Sequence, residues 1–302
     1  MQKIKKLPVG VIYALGAALL WGILPIFLKV AVAKIPAITI VWFRFAFSFL
    51  SLFLYFALFQ RNSLKILIKP PLFSILAGIF LGINYIGFML GIKYTTPNNA
   101  QVFIQLGPVL LAASGFILYK EKVKALQILG FGITILGFIL YYSQQVNFFG
   151  DDSLNYTKGI FWTILGAIMW AFYSVFQKEL VNKHSVLQLN LILFGLSTIL
   201  FMPLVKFNIL LNMDIWQTLI MISLGLNTLL AYTFIALALR YSEANIVSII
   251  VTCNPIITFF IMAILGYLEV WWIMPEKMNL ISIAGALFVI GGAALVILFR
   301  KN

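Results

Sequence analysis

The stretch Asn98-Asn99-Ala100-Gln101-Val102-Phe103-Ile104-Gln105-Leu106-Gly107-Pro108 has a counterpart in Asn245-Ile246-Val247-Ser248-Ile249-Ile250-Val251-Thr252-Cys253-Asn254-Pro255. At a constant offset of 147, Asn98, Gln101, Gln105 and Pro108 fall on Asn245, Ser248, Thr252 and Pro255. Tyr85, Tyr94 and Lys93 fall on Tyr232, Tyr241 and Arg240 in the same register. An apolar run with spaced polar side chains and a terminal proline, occurring twice, predicts a repeated membrane unit whose broken helices carry a site near the bilayer midplane.

Composition agrees. Hydrophobic residues make up 63% of the chain, charged residues only 10%, and mean hydropathy is +1.07, more apolar surface than a soluble fold of 302 residues could hide. The 21 basic residues against 8 acidic give +13, but the basic residues sit at the ends of apolar runs. Topology therefore explains the charge, and no basic groove interleaved with stacking aromatics points to nucleic acid. Cys253 is the only cysteine, which excludes an intrachain disulfide and a thiolate metal cluster, and nothing in the sequence requires a cofactor.

A spanning helix needs about 20 apolar residues. Proline, glycine and charge divide the chain into ten: 9–28, 37–59, 72–91, 99–119, 125–143, 159–180, 187–206, 216–238, 245–267 and 280–298. The expected architecture is an all-α membrane protein of ten transmembrane helices, with the longest middle connection, 143–158, between units at 1–150 and 151–302. The first apolar run follows Lys3, Lys5 and Lys6 but is long and lacks a clear cleavage site, so it reads as a span, not a signal peptide. With the N-terminus inside, inner ends carry 14 basic residues and outer ends 6, which favours both termini inside. Because each unit holds an odd number of helices, the second must lie upside down relative to the first.

Further correspondences keep the same order. Trp21 precedes Lys29 by eight residues, as Trp170 precedes Lys178; Glu121 follows Pro108 and Glu269 follows Pro255; Gly130 and Gly137 answer Gly285 and Gly292. Lys29 after Trp21, the Trp42-Phe43-Arg44-Phe45 run, a proline-plus-glutamate fourth helix repeated in the ninth, and a glycine-rich closing helix in each unit together resemble the EamA-type family of the drug/metabolite transporter superfamily. The resemblance spans roughly residues 9–299. It implies an inner-membrane carrier of small metabolites with a central cavity between the two bundles. Residues Trp271 to Met278 depart from the pattern, lengthening the last connection by about seven residues relative to its repeat partner.

Helix spacing i, i+4, i+7 puts Gln101, Gln105 and Pro108 on one stripe, with Ser248, Thr252 and Pro255 as its copy. Proline frees the carbonyl four residues back, here Ile104 and Val251, so the stripe is expected to face the cavity; the competing reading is kinked packing with amides bonding neighbouring helices. Trp21 and Trp170 lie in mid-helix, away from the headgroup belt, and Trp170, Tyr173 and Gln177 share a face, as a substrate wall or as core filling. Asn84 with Tyr85, and Asn227 with Tyr232, are cavity candidates whose amides a neighbouring helix could equally satisfy. Arg44, well inside the second span, is either a fork for a substrate carboxylate or phosphate, or a structural partner for backbone carbonyls or a loop carboxylate.

No acidic residue falls mid-span, which favours facilitated diffusion over proton antiport; Glu121 and Glu269, near the mouths, are the candidates for gating or coupling. One loop histidine, His184, and the lone cysteine leave too little chemistry for an intramembrane enzyme. Aromatic walls, amides and a single arginine suit neutral or zwitterionic, partly apolar solutes such as amino acids. The alternative is a proton-coupled exporter of cationic compounds, and a channel is separated from a carrier by saturation. The partners expected are a small solute and the lipid bilayer; the sequence leaves the oligomeric state open, a monomer included.

Overall fold

The computed structural model describes residues 7–119, 124–181, 183–242, 244–276 and 278–298. Thirteen α-helices are described: α1 (Leu7–Val32), α2 (Ala37–Phe59), α3 (Leu72–Tyr94), α4 (Pro97–Phe103), α5 (Leu106–Tyr119), α6 (Ala125–Phe149), α7 (Ser153–Leu180), α8 (Val186–Phe201), α9 (Phe207–Leu211), α10 (Ile215–Tyr241), α11 (Ala244–Thr252), α12 (Asn254–Tyr267) and α13 (Leu280–Leu298). The fourth and ninth spans are each split, into α4 and α5 and into α11 and α12, and α9 is a short interfacial turn. Ten transmembrane helices result, arranged as two inverted five-helix repeats with no strand among the described residues.

Local sequence sets the ends. Pro36 and Pro71 precede α2 and α3. Ser185 with Gln188, and Asp214 with Gln217, form reciprocal caps on α8 and α10. The fifth and sixth spans are longer than hydropathy suggests: the expected connection at 143–158 shrinks to a turn at Gly150–Asp152, with Gly150 at φ +50°. The polar residues read as loop are held in helix by tertiary bonds. Gln145 Nε2 donates to Ser282 Oγ at 3.2 Å, Asn279 Nδ2 to Gln144 Oε1 at 2.8 Å, and Tyr156 Oη to Asn99 Oδ1 at 3.0 Å.

Burial runs opposite to that of a soluble protein. Ile12, Leu54, Ile128, Ile139, Phe161 and Phe260 lie on the surface, while Thr39, Arg44, Ser48, Gln101, Gln105, Thr134 and Thr258 are buried. Lipid tails accept the first set; the second must find partners inside.

Packing repeats under exchange of the halves: α1 packs on α10 as α7 packs on α3, α12 on α1 as α5 on α7, while α2 meets α8 and α6 meets α13. Glycines permit the closest approaches. A Cβ on Gly137 would stand 2.7 Å from Gly285 O, and one on Gly130 2.9 Å from Gly292 O, so the glycine stripes of the fifth and tenth spans seal against each other within one chain.

Candidate functional site

The two helix breaks meet on the stripe that the repeat singled out. Gln101, on α4, donates from Nε2 to Trp21 O at 2.8 Å and to Thr258 Oγ1 at 3.2 Å. Thr258 in turn donates to Gly22 O at 2.6 Å. Two residues past the end of α4, Gln105 Nε2 donates to Asn254 Oδ1 at 3.0 Å, and its own Oε1 has no partner among the described residues. The break also changes the expected backbone chemistry, since Ile104 O accepts from Gly107 N at 2.9 Å through a tightened turn. Pro108 is half-buried, Pro255 is buried at the start of α12, and Thr252 is buried with interactions of its own. Ser248 is placed in α11 by its backbone, its side chain lying outside the described set.

Next to this seam lies an aromatic cluster around Arg44, which is only 3% exposed. Arg44 Nε donates to Thr228 Oγ1 at 3.0 Å, and the guanidinium carbon sits 4.5 Å from the centre of the Tyr85 ring. Neither a backbone carbonyl nor a carboxylate is its partner, and no hydrogen bond engages its terminal nitrogens among the described residues. Tyr85 packs on Phe45 at 4.4 Å between ring centres; Tyr232 meets Phe194 at 5.6 Å and Trp21 at 5.8 Å, edge to face. Tyr173 is buried in the same core, and Trp170 packs against it and over Gly107. Helices α3 and α10 thus meet the guanidinium carried by α2, and α1, α7 and α8 pack in the core around them.

Other candidates are placed differently. Asn84 Nδ2 donates to Gly166 O at 2.9 Å, tying α3 to α7, and Asn227 Nδ2 donates to Leu20 O at 2.8 Å, tying α10 to α1. Asn227 and Gln177 each keep a buried oxygen without a partner among the described residues. Glu269 is exposed at the end of α12 with φ +48°, and Glu121 lies outside the described residues. Two apolar clefts, of about 340 Å³ beside Leu72 and Leu180 and about 490 Å³ beside Phe103 and Phe161, lie at the periphery, and Arg44 lines neither.

Residues that the sequence reading passed over also contribute. Thr228 and Asn254 anchor Arg44 and Gln105; Asn254 stands beside a predicted break, a signal available in the sequence, whereas Thr228 is an unremarkable threonine until α10 packs on α2. Lys29 is no loose anchor: its Nζ donates to Ile92 O at 2.9 Å and to Thr95 O, closing the C-terminal end of α3. Near it, the connection between α12 and α13 folds Glu276 back onto the start of α4. Glu276 Oε2 accepts from Thr96 Oγ1 at 2.8 Å, and Oε1 from Asn98 N at 3.1 Å. Burial pushes this carboxyl up to about 7, with the Asn98 and Thr96 bonds and then Lys29 acting against the shift.

A profile of the EamA-like transporter family matches residues 8–143 and again residues 157–298. The chain belongs to the EamA-like transporter family. It is similar to an uncharacterized inner membrane transporter of Escherichia coli, YhbE, at 32% identity over 94% of this chain and 90% of that protein. An uncharacterized transporter of Haemophilus influenzae is 29% identical over 97% of this chain and 95% of its own length. A solved crystal structure shares the fold, with a TM-score of 0.65 at 14% identity over 98% of this chain and 99% of that one. This EamA-like chain is an integral membrane transporter.

Proposed function

We propose that this EamA-like transporter carries small zwitterionic or neutral organic solutes, amino acids or their close relatives, by alternating access between its two repeats. The observation that carries the reading is Arg44: a guanidinium held among lipid-embedded helices, steered by Thr228 and Tyr85, with no hydrogen bond on either terminal nitrogen among the described residues. Such a fork suits a carboxylate bidentately. Trp21, Tyr85, Trp170, Tyr173 and Tyr232 supply ring faces for an apolar or cationic remainder of the solute. Gln101, Gln105, Thr252 and the two prolines form the seam that must part for the chamber to open. Residues 1–150 and 151–302 are the two units that rock against each other, with both termini on the cytoplasmic side and export down the solute gradient.

Liposomes containing the purified protein and loaded with one amino acid test this directly. Saturable uptake, stimulated by solute on the opposite side and lost in Arg44→Gln, is expected. Unsaturable flux would make the protein a channel. Movement of cationic drugs with a proton gradient, without movement of amino acids, would overturn both the solute class and the driving force.

A further inference from the structure

Glu276 belongs to the lengthened connection that only the second repeat carries, and it is the described carboxylate most deeply drawn into the fold. Its oxygens are met by the Thr96 hydroxyl, at the N-cap of α4, and by the Asn98 backbone N–H in the first turn of that helix. The Asn98 side chain lies alongside: Nδ2 reaches Met278 Sδ at 3.7 Å, while Oδ1 is buried and has no hydrogen-bond partner among the described residues. An acceptor left open beside a carboxylate is the arrangement that a protonated carboxyl completes, because its O–H then has somewhere to go. The charged and titratable groups facing Glu276 are Lys29 from α1, Tyr141 from α6 and Tyr156 from α7. None makes an ion pair with it among the described residues. The adjacent Lys277 lies outside them.

The contact spans the two repeats at one mouth. On one side is the start of α4, which carries Gln101 into the central seam; on the other is the link from α12 to α13. Any opening at this end has to separate them.

We propose that Glu276 is the proton-binding site of a gate at this mouth: closing the connection onto α4 takes up a proton, and opening returns it to the water on that side. A half-buried carboxylate with no ion pair is costly, so closure favours the neutral acid; released into water, the same group ionises in the ordinary range. The closed arrangement is therefore favoured at low pH, and that advantage is lost as pH rises through about 7. With a released carboxyl near about 4.3, the closed fraction relative to open falls about tenfold between pH 6 and pH 8.

The inference rests on the alternating-access reading, but its test needs no solute. Hydrogen exchange of the amides at 98–103, corrected for intrinsic rates, is measured at pH 6 and pH 8 on the full chain in lipid nanodiscs. Protection in the unmodified protein is expected to fall about tenfold at the higher pH. Glu276→Gln is permanently neutral, keeps the Asn98 N–H bond through its amide oxygen and can donate its amide to the open Asn98 Oδ1, so it is expected to stay protected at both pH values. Glu276→Ala is expected to be unprotected at both. Equal protection of the unmodified protein at the two pH values, greater protection at pH 8, or an unchanged pH response in Glu276→Gln overturns the proposal. Transport can fail in the liposome assay while this exchange pattern holds, which separates the gate from the solute assignment.

Discussion

Gln105 and Asn254 join the two helix breaks, Nε2 to Oδ1 at 3.0 Å, so the discontinuities of the first and second repeats are hydrogen-bonded to each other across the pseudo-twofold axis. An amide pair at this point bonds well in the dry interior yet has to part whenever the halves separate. In a double-mutant cycle with Gln105→Ala and Asn254→Ala, unfolding in mixed detergent micelles should report a coupling of about 0.6 kcal/mol, up to about 1.7 kcal/mol. Additive effects of the two substitutions would show that the bond carries no energy of its own.

Arg44→Lys keeps the charge and loses the fork. Because Lys presents a compact ammonium to the carboxylate, kcat/KM for amino acids in proteoliposomes should fall by about tenfold or more, with folded protein retained. A neutral solute of the same size should be less affected. Equal losses for both would move Arg44 from the site to the scaffold.

Gly137 and Gly132 lie on the same helix and predict opposite outcomes. A side chain at Gly137 would meet Val289 N at 2.6 Å, whereas nothing lies within 4 Å of a Cβ at Gly132. Gly137→Val should lower stability by about 1–3 kcal/mol through forced separation of α6 and α13. Gly132→Ala should be neutral or raise it by up to about 1 kcal/mol. Thermal unfolding in detergent, followed by tryptophan fluorescence, distinguishes them.

Asn84 donates its amide to Gly166 O, and this makes it a fastener between α3 and α7. Asn84→Ala should therefore cost about 0.6 kcal/mol of stability, up to about 1.7 kcal/mol, and leave KM where it was. A raised KM at unchanged stability would return Asn84 to the solute wall.

Lys29 lowers the proton affinity of Glu276, against the larger effect of burial. Removing that charge raises the affinity of the closed form further, so the loss of closure with rising pH moves to higher pH. In Lys29→Gln, whose amide can still donate to the α3 carbonyls, the midpoint of the exchange transition at 98–103 should rise above about 7. An unmoved midpoint would mean that Lys29 serves α3 alone.

The repeat, the split helices and the buried stripe were legible because they are local: hydropathy marks a span, proline marks a break, and spacing marks a face. Helix ends near 143–158 were not, since Gln145 and Tyr156 look like loop residues until Ser282 and Asn99 arrive from elsewhere in the chain. Arg44 stood out as a charge where charge is expensive, but its partner Thr228 is 184 residues away and no pattern announces it. Glu276 read as a loop residue for the same reason: periodicity locates a connection along the chain and says nothing of where that connection returns in space.

The lengthened link bearing Glu276 makes an otherwise palindromic carrier lopsided. A catalyst of equilibration cannot alter the final concentration ratio of its solute, so a proton that visits the link from one side alone sets the pace of exchange and not its endpoint. Acidity at that face would act as a throttle, leaving the direction of flow to the solute itself.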